Sequence, residues 1–234
     1  MLSTLEPLYS IKINCLHCEQ DFQSSRVRTS FKKSVRNDAD FCSYYKEENP
    51  DYYVVRVCPK CGYASTENSA TRLTDNQRKE ITTKVSARWV ERDFNGHRDW
   101  DNALETYKLA LVCAQIIGDS ERLIASILHH IAWLYRYKGD IEQEQRFLRF
   151  CLDSYILVYE HEGIGANNAR LLYLIGELNR RVGDFNQAVL WFSRVINDKK
   201  IMDASMIRAS REQWAVLREQ MIAKKVDLPD EMKQ

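Results

Sequence analysis

The sequence predicts an α+β chain, mainly α, with a small β-rich module preceding a longer helical array. Three observations carry that prediction. Four of the seven cysteines fall as two CxxC pairs, Cys15-Leu-His-Cys18 and Cys58-Pro-Lys-Cys61, both early in the chain. Alternation of apolar residues gives way to a helical period near residue 73. Beyond that point one pattern recurs three times without gaps.

In the first part, Tyr9–Asn14 and Ser25–Thr29 alternate as half-buried strands do, and Tyr52–Val57 is the strongest strand signal. Residues Asn37 to Pro50 are polar and rich in turn formers. Thr74-Asp-Asn-Gln77 is a capping box, followed by Ile81, Val85 and Trp89 at helical spacing. Helices are expected over about 75–95, 99–117, 120–138, 140–161, 167–182, 184–197 and 203–224, with Gly118, Gly139, Gly163 and Gly183 as stops. The expected division is a module over 1–73, a helical array over 74–225 with a capping helix containing Met206, Trp214, Leu217 and Met221, and a frayed polar tail over 226–234.

The repeat aligns Asp99–Ala110, Asp140–Cys151 and Asp184–Val195. Each segment opens with Asp at a helix start and places core candidates at matching offsets: Ala103, Glu144 and Ala188, then Tyr107, Leu148 and Phe192, then Ala110, Cys151 and Val195. The spacings of 41 and 44 residues exceed the usual 34 of a tetratricopeptide (TPR) repeat; longer helices and the Glu160–Asn168 connection would account for the excess. The pattern resembles TPR in its small residues, Ala132 and Gly176, where paired helices press together, and in Gly139 and Gly183 at the turns. It departs at Glu144 and in lacking the terminal Pro, so an ordinary helical bundle is the alternative.

Composition narrows the function classes. Of 234 residues 44% are hydrophobic and 29% charged, enough apolar area for a core and too much for wholesale disorder. A formal net charge of +1 argues against a global polyanion-binding design. The N-terminus lacks the basic and apolar regions of a signal peptide, and no apolar run is long enough to span a bilayer. A cytoplasmic, reducing setting is expected, where paired cysteines read as metal ligands before disulfides.

Cys15, Cys18, Cys58 and Cys61 are therefore expected to hold one structural Zn²⁺ in a zinc-ribbon-like module, each CxxC turn supplying two thiolates. Each pair follows an expected strand, and Gly62 frees the backbone after the second. Four thiolates leave no open coordination position, so metal binding supplies folding free energy and not catalysis. Redox sensing through zinc release is a minor alternative. His17-Cys18-Glu19 formally matches the H-x-E of zinc deaminases, but Pro59 lies inside the second CxxC instead of before it. His17 or Cys42 would be a substitute ligand only if a CxxC cysteine pointed away.

The chain as a whole resembles an uncharacterised bacterial family catalogued as a numbered domain of unknown function. The resemblance rests on Cys15–Cys18, on Asp40-Phe-Cys42 with Tyr44, on Asn49-Pro50 and Tyr53, on Val57-Cys-Pro-Lys-Cys-Gly-Tyr-Ala64, and on the helical half. It covers nearly the whole chain, implies a bacterial intracellular protein, and supplies no activity. For Asp40 the residues suggest only a buried turn hydrogen bond.

Two surfaces are candidates for partners. Transferring the TPR pattern places Arg88, Arg92, His129, Trp133, Arg136, Tyr137, Arg170, Tyr173, Glu177, Arg180 and Arg181 on a concave face. Arg and aromatic residues there suit an acidic peptide or protein partner, against the plainer reading that Trp133 and Tyr173 are core. The second surface is Arg26, Arg28, Lys32, Lys33 and Arg36, a basic segment that would contact nucleic-acid phosphates. Residues 1–75 balance ten Lys/Arg against ten Asp/Glu, which weighs against it. No nucleotide-binding loop or nucleophile elbow occurs, so a non-enzymatic adaptor is expected, with nucleic-acid binding as the alternative.

Overall fold

A computed structural model describes residues 5–162, 168–229 and 232. Three antiparallel strand pairs precede an array of α-helices. β1 (Leu8–Asn14) pairs with β2 (Asp21–Val27), β3 (Ser34–Asn37) with β4 (Ser43–Tyr45), and β5 (Arg56–Val57) with β6 (Ala64–Ser65). The helices are α1 (Asp75–Lys84), α2 (Trp100–Ile117), α3 (Glu121–Lys138), α4 (Ile141–Glu162), α5 (Ala169–Val182), α6 (Phe185–Asn197) and α7 (Ala204–Ala223).

Local chemistry sets most helix ends. Thr74 and Gln77 form the capping box of α1, and Asp99, Ser120, Asp184 and Asp203 cap the starts of α2, α3, α6 and α7. Gly139 and Gly183 adopt the left-handed conformation after α3 and α5 and close Schellman-type turns, Asp140 N–H to Tyr135 O and Asp184 N–H to Asn179 O. The stop expected at Gly163 lies outside the described residues.

Two expectations need correction. Tyr52–Val57 is not one strand: Asn49 accepts from Asp51 N–H and caps a 3-10 turn over Pro50–Tyr53, leaving Arg56–Val57 as a short strand. α1 stops at Lys84 and does not reach 95. Val85 ends it, Ser86–Arg88 form a 3-10 turn, and Trp89 is extended. Side chains of Ser86 and Trp89 are drawn instead to carbonyls of the second CxxC, so tertiary hydrogen bonds override the helical spacing.

The chain divides into two compact units. The first comprises residues up to Asn37 with Ser43–Glu144, and so joins the strand pairs to α1–α3. Tyr107, Ala110 and Cys113 of α2 and Ile127, Ile131 and Leu134 of α3 form its core. The second comprises Asp38–Cys42 with the chain from Gln145 onward. Its core is built from Leu148, Cys151, Ile175, Leu178, Phe192, Val195, Leu217 and Met221. Of the core positions shared by the three repeats, all are buried except Glu144, whose carboxylate pairs with Arg136 at 2.7 Å. Met232 is also buried, and Arg218 Nε donates to its carbonyl. Among the described residues no helix is long and apolar enough to cross a membrane.

Candidate metal centre

Both CxxC pairs sit at the tips of hairpins with the same register. Asn14 pairs with Asp21 to close the first, and Val57 pairs with Ala64 to close the second. Within each tip the first cysteine bonds in the same way: Cys15 N–H to Gln20 O and Glu19 N–H to Cys15 O, against Cys58 N–H to Tyr63 O and Gly62 N–H to Cys58 O. Glu19 and Gly62 occupy equivalent places, and both have positive φ, 60° and 73°. The sequence advertises this turn at Gly62 and conceals it at Glu19, a residue that rarely adopts it.

The two tips bring the four sulfurs together, all within 4.8 Å of one another. Cys15 Sγ lies 3.6 Å from Cys61 Sγ, and Cys18 Sγ lies 3.6 Å from Cys58 Sγ. A tetrahedron with Zn–S bonds of about 2.3 Å requires sulfurs roughly 3.8 Å apart, so the spacing fits zinc. Ionisation points the same way. Hydrogen bonds from Cys15 and then Cys61 draw the Cys58 thiol down, while Cys15 is pushed up chiefly by Cys58 and Cys61 chiefly by Cys15. Four thiolates at this distance repel one another; a divalent cation removes that conflict.

Residues after the strands brace both tips. Trp89 Nε1 donates to Pro59 O at 2.6 Å and Ser86 Oγ to Cys61 O at 2.8 Å. From α1, Arg78 Nη1 donates to His17 O at 2.7 Å, and the His17 ring lies 3.0 Å from Thr82 Oγ1. His17 is thus engaged with α1 and stands outside the sulfur cluster. Ala64 N–H donates to the buried Cys113 Sγ at 3.4 Å, and burial pushes that thiol up to about 11. Cys113 is a packing residue; Cys42 and Cys151 are buried in the second unit.

The residues expected to meet a partner have mixed placements. His129, Trp133 and Tyr173 are buried. Arg88 is exposed on the 3-10 turn, and Arg92 pairs with Glu105 and lies over the Trp89 ring. Arg136 pairs with Glu144. Tyr137 OH lies 2.8 Å from Ser43 O and 2.9 Å from Asp51 Oδ2. In the second unit, the fully buried Glu177 accepts from both Arg180 and Arg181. Arg181 also reaches the buried Asp40 at 3.3 Å. Arg170 stacks over Phe41 at 4.1 Å, and Tyr173 OH donates to Ala39 O at 2.8 Å. The loop at Asp40 is therefore an anchored plug held by α5, a role that local sequence does not signal.

In the basic segment, Arg26 pairs with Glu67, Arg28 donates to Glu6 O, and Arg36 stacks over Tyr44 at 3.8 Å. Lys32 and Lys33 are exposed. Arg26 and Lys32 line one cleft together with Glu67.

No curated protein matches the sequence. A family model does match, over residues 8–217, and its description is "Uncharacterized protein conserved in bacteria (DUF2225)". With the paired CxxC hairpins and helices α1 to α6 inside the matched span, the chain belongs to this bacterial DUF2225 family.

Proposed function

We propose that the chain is a non-catalytic binding protein of a reducing compartment such as the cytoplasm, its N-terminal module held by one structural zinc ion and its TPR-like helices offering surface to a protein partner. The observation that carries this reading is the closed set of four thiols. Such a set leaves no coordination position for substrate or water, so the metal's contribution is folding free energy. Helix packing supports the repeat reading: Gly176 lies against Phe192, and Ala132 is fully buried.

The ligand need not be acidic. Arg136, Arg180 and Arg181, three of the six arginines that suggested an acidic peptide, already face Glu144, Glu177 and Asp40. Reorienting them toward a ligand would strand those carboxylates, two of them fully buried.

Metal analysis with affinity capture from a bacterial extract tests the reading. One zinc per chain, with a discrete protein partner retained after nuclease treatment and lost in Cys58→Ser, is the expected result. Zinc-free protein with intact hairpins would overturn the metal assignment. Nucleic acid recovered only without nuclease would move the function to the segment around Lys32 and Lys33.

A further inference from the structure

Within the first unit a cleft of about 410 Å³ opens between β4, the turn that follows it, and the end of α3. Its volume falls in the range of about 300–1,000 Å³ usual for small-ligand sites. Tyr44, Tyr52 and Tyr137 wall it. Tyr44 meets Tyr137 edge to face with centroids 5.5 Å apart, and Tyr52 lies 6.5 Å from Tyr137 at 57°. Contacts of the Tyr137 hydroxyl with Ser43 O and Asp51 fix the central ring, so the wall is preorganised.

The charges of the cleft are unequally satisfied. Of its two guanidinium groups, Arg136 faces Glu144 at 2.7 Å, while the buried Arg98 donates to the carbonyls of Phe94, Tyr52 and Val55. Its carboxylates are Glu47, Glu48 and Asp99. Glu48 Oε2 accepts from Tyr53 OH at 2.7 Å, while Oε1 lies 3.6 Å from His97 Nε2, beyond hydrogen-bonding distance. Asp99 caps α2 through Oδ1 and leaves Oδ2. Glu47 is exposed. Among the lining residues three carboxylates stand with two guanidinium groups.

Aromatic faces beside carboxylates are the surroundings that hold an organic cation: the ring quadrupole attracts the charge and the carboxylate accepts its N–H groups. The chain already uses half of this chemistry, with the Arg36 guanidinium 3.8 Å over the Tyr44 ring. We propose that the cleft binds the guanidinium or ammonium group of a basic side chain on a peptide partner, with the tyrosines against its alkyl stem and charge and with Glu48 and Asp99 accepting from its N–H groups. This deepens the binding reading above by naming one surface and its ligand chemistry, and it does not depend on the zinc ion being the means of partner capture.

The test is calorimetric titration of the full, zinc-loaded chain with N-acetyl-arginine amide, N-acetyl-lysine amide and the uncharged N-acetyl-citrulline amide, alongside a short arginine-containing peptide. Saturable binding of a cationic probe is expected, with the citrulline probe weaker by about tenfold or more. Glu48→Gln, which keeps the Tyr53 contact, and Asp99→Asn, which keeps the helix cap, should each weaken binding several-fold at unchanged melting temperature. Peptide binding tighter than the free amides supports a peptide source; equal or tighter binding of the amides alone overturns it in favour of a free organic cation. No saturation by any probe up to about 20 mM, or citrulline binding as well as arginine, overturns the site itself. A failed titration with one zinc per chain would sink the cleft and leave the zinc-supported reading standing.

Discussion

The indole of Trp89 occupies the space that a side chain on Gly62 would need. A Cβ at residue 62 would lie 2.5 Å from Trp89 Cδ2 and Cε3, and φ at this position is +73°. The same ring donates to Pro59 O, so the residue that excludes a side chain at 62 also ties down the second CxxC tip.

Gly62→Ala should therefore destabilise the first unit by about 1–3 kcal/mol, combining overpacking with backbone strain. Gly96→Ala provides the reference, since φ there is +87° and a Cβ meets nothing within 4 Å. Denaturant melts should show the larger loss at 62, with Gly62→Ala in a Trp89→Ala background recovering only the steric part.

Asp40 and Arg181 give a second expectation. Both are tied into a network with the fully buried Glu177. Arg181→Met should cost about 1–3 kcal/mol, because it removes one charge-assisted contact from each of two buried carboxylates while Arg180 stays on Glu177. Adding Asp40→Leu should restore part of that loss, and a double-mutant cycle by chemical denaturation measures the coupling.

Gly176 lies in α5 against Phe192 of α6, where a Cβ would come within 2.8 Å of the ring. Gly176→Ala should lower stability by about 1–3 kcal/mol despite its better helix propensity. Phe192→Leu in the same chain should relieve the clash, seen as a smaller drop in melting temperature on adding the alanine.

The Asp203 carboxyl is held below its ordinary 3.8 by hydrogen bonds from the Ser205 side chain and the Met206 N–H. Its folded value is the lower one, so its contribution is present above about pH 3.8 and is lost as pH falls through the lowered value. Asp203→Asn keeps a capping side chain without the charge. Its melting temperature should show less dependence on pH below 4 than the parent chain.

What the sequence showed depended on how far each signal reaches. CxxC pairs, capping boxes and glycine stops are local chemistry, and the four sulfurs, Thr74 and Gly139 are where they were expected. Trp89 misled because its spacing from Ile81 fits a helix while its indole is held by Pro59. Tyr52–Val57 misled because β-rich composition outweighed the Asn49-Pro50 turn signal just before it. Asp40 offered no local clue, since its partner Arg181 lies on a distant helix. Helical position alone places the arginines toward a ligand, whereas Glu144, Glu177 and Asp40 decide how much of their charge is free to act.

The anchored plug at Ala39 and Asp40 also sets an order of events during synthesis. Cys18 and Cys61 are 43 residues apart, so a ribosome adding about 5–20 residues per second completes the sulfur set roughly 2–9 s after the first pair is made. Ala39 is made in that interval, yet Tyr173, whose hydroxyl it accepts, follows 134 residues later, roughly 7–27 s behind. The nascent chain thus carries an early-made anchor loop that has no seat until α5 emerges. A translational pause before α5 would lengthen the time that Phe41 and Cys42 remain without their native packing.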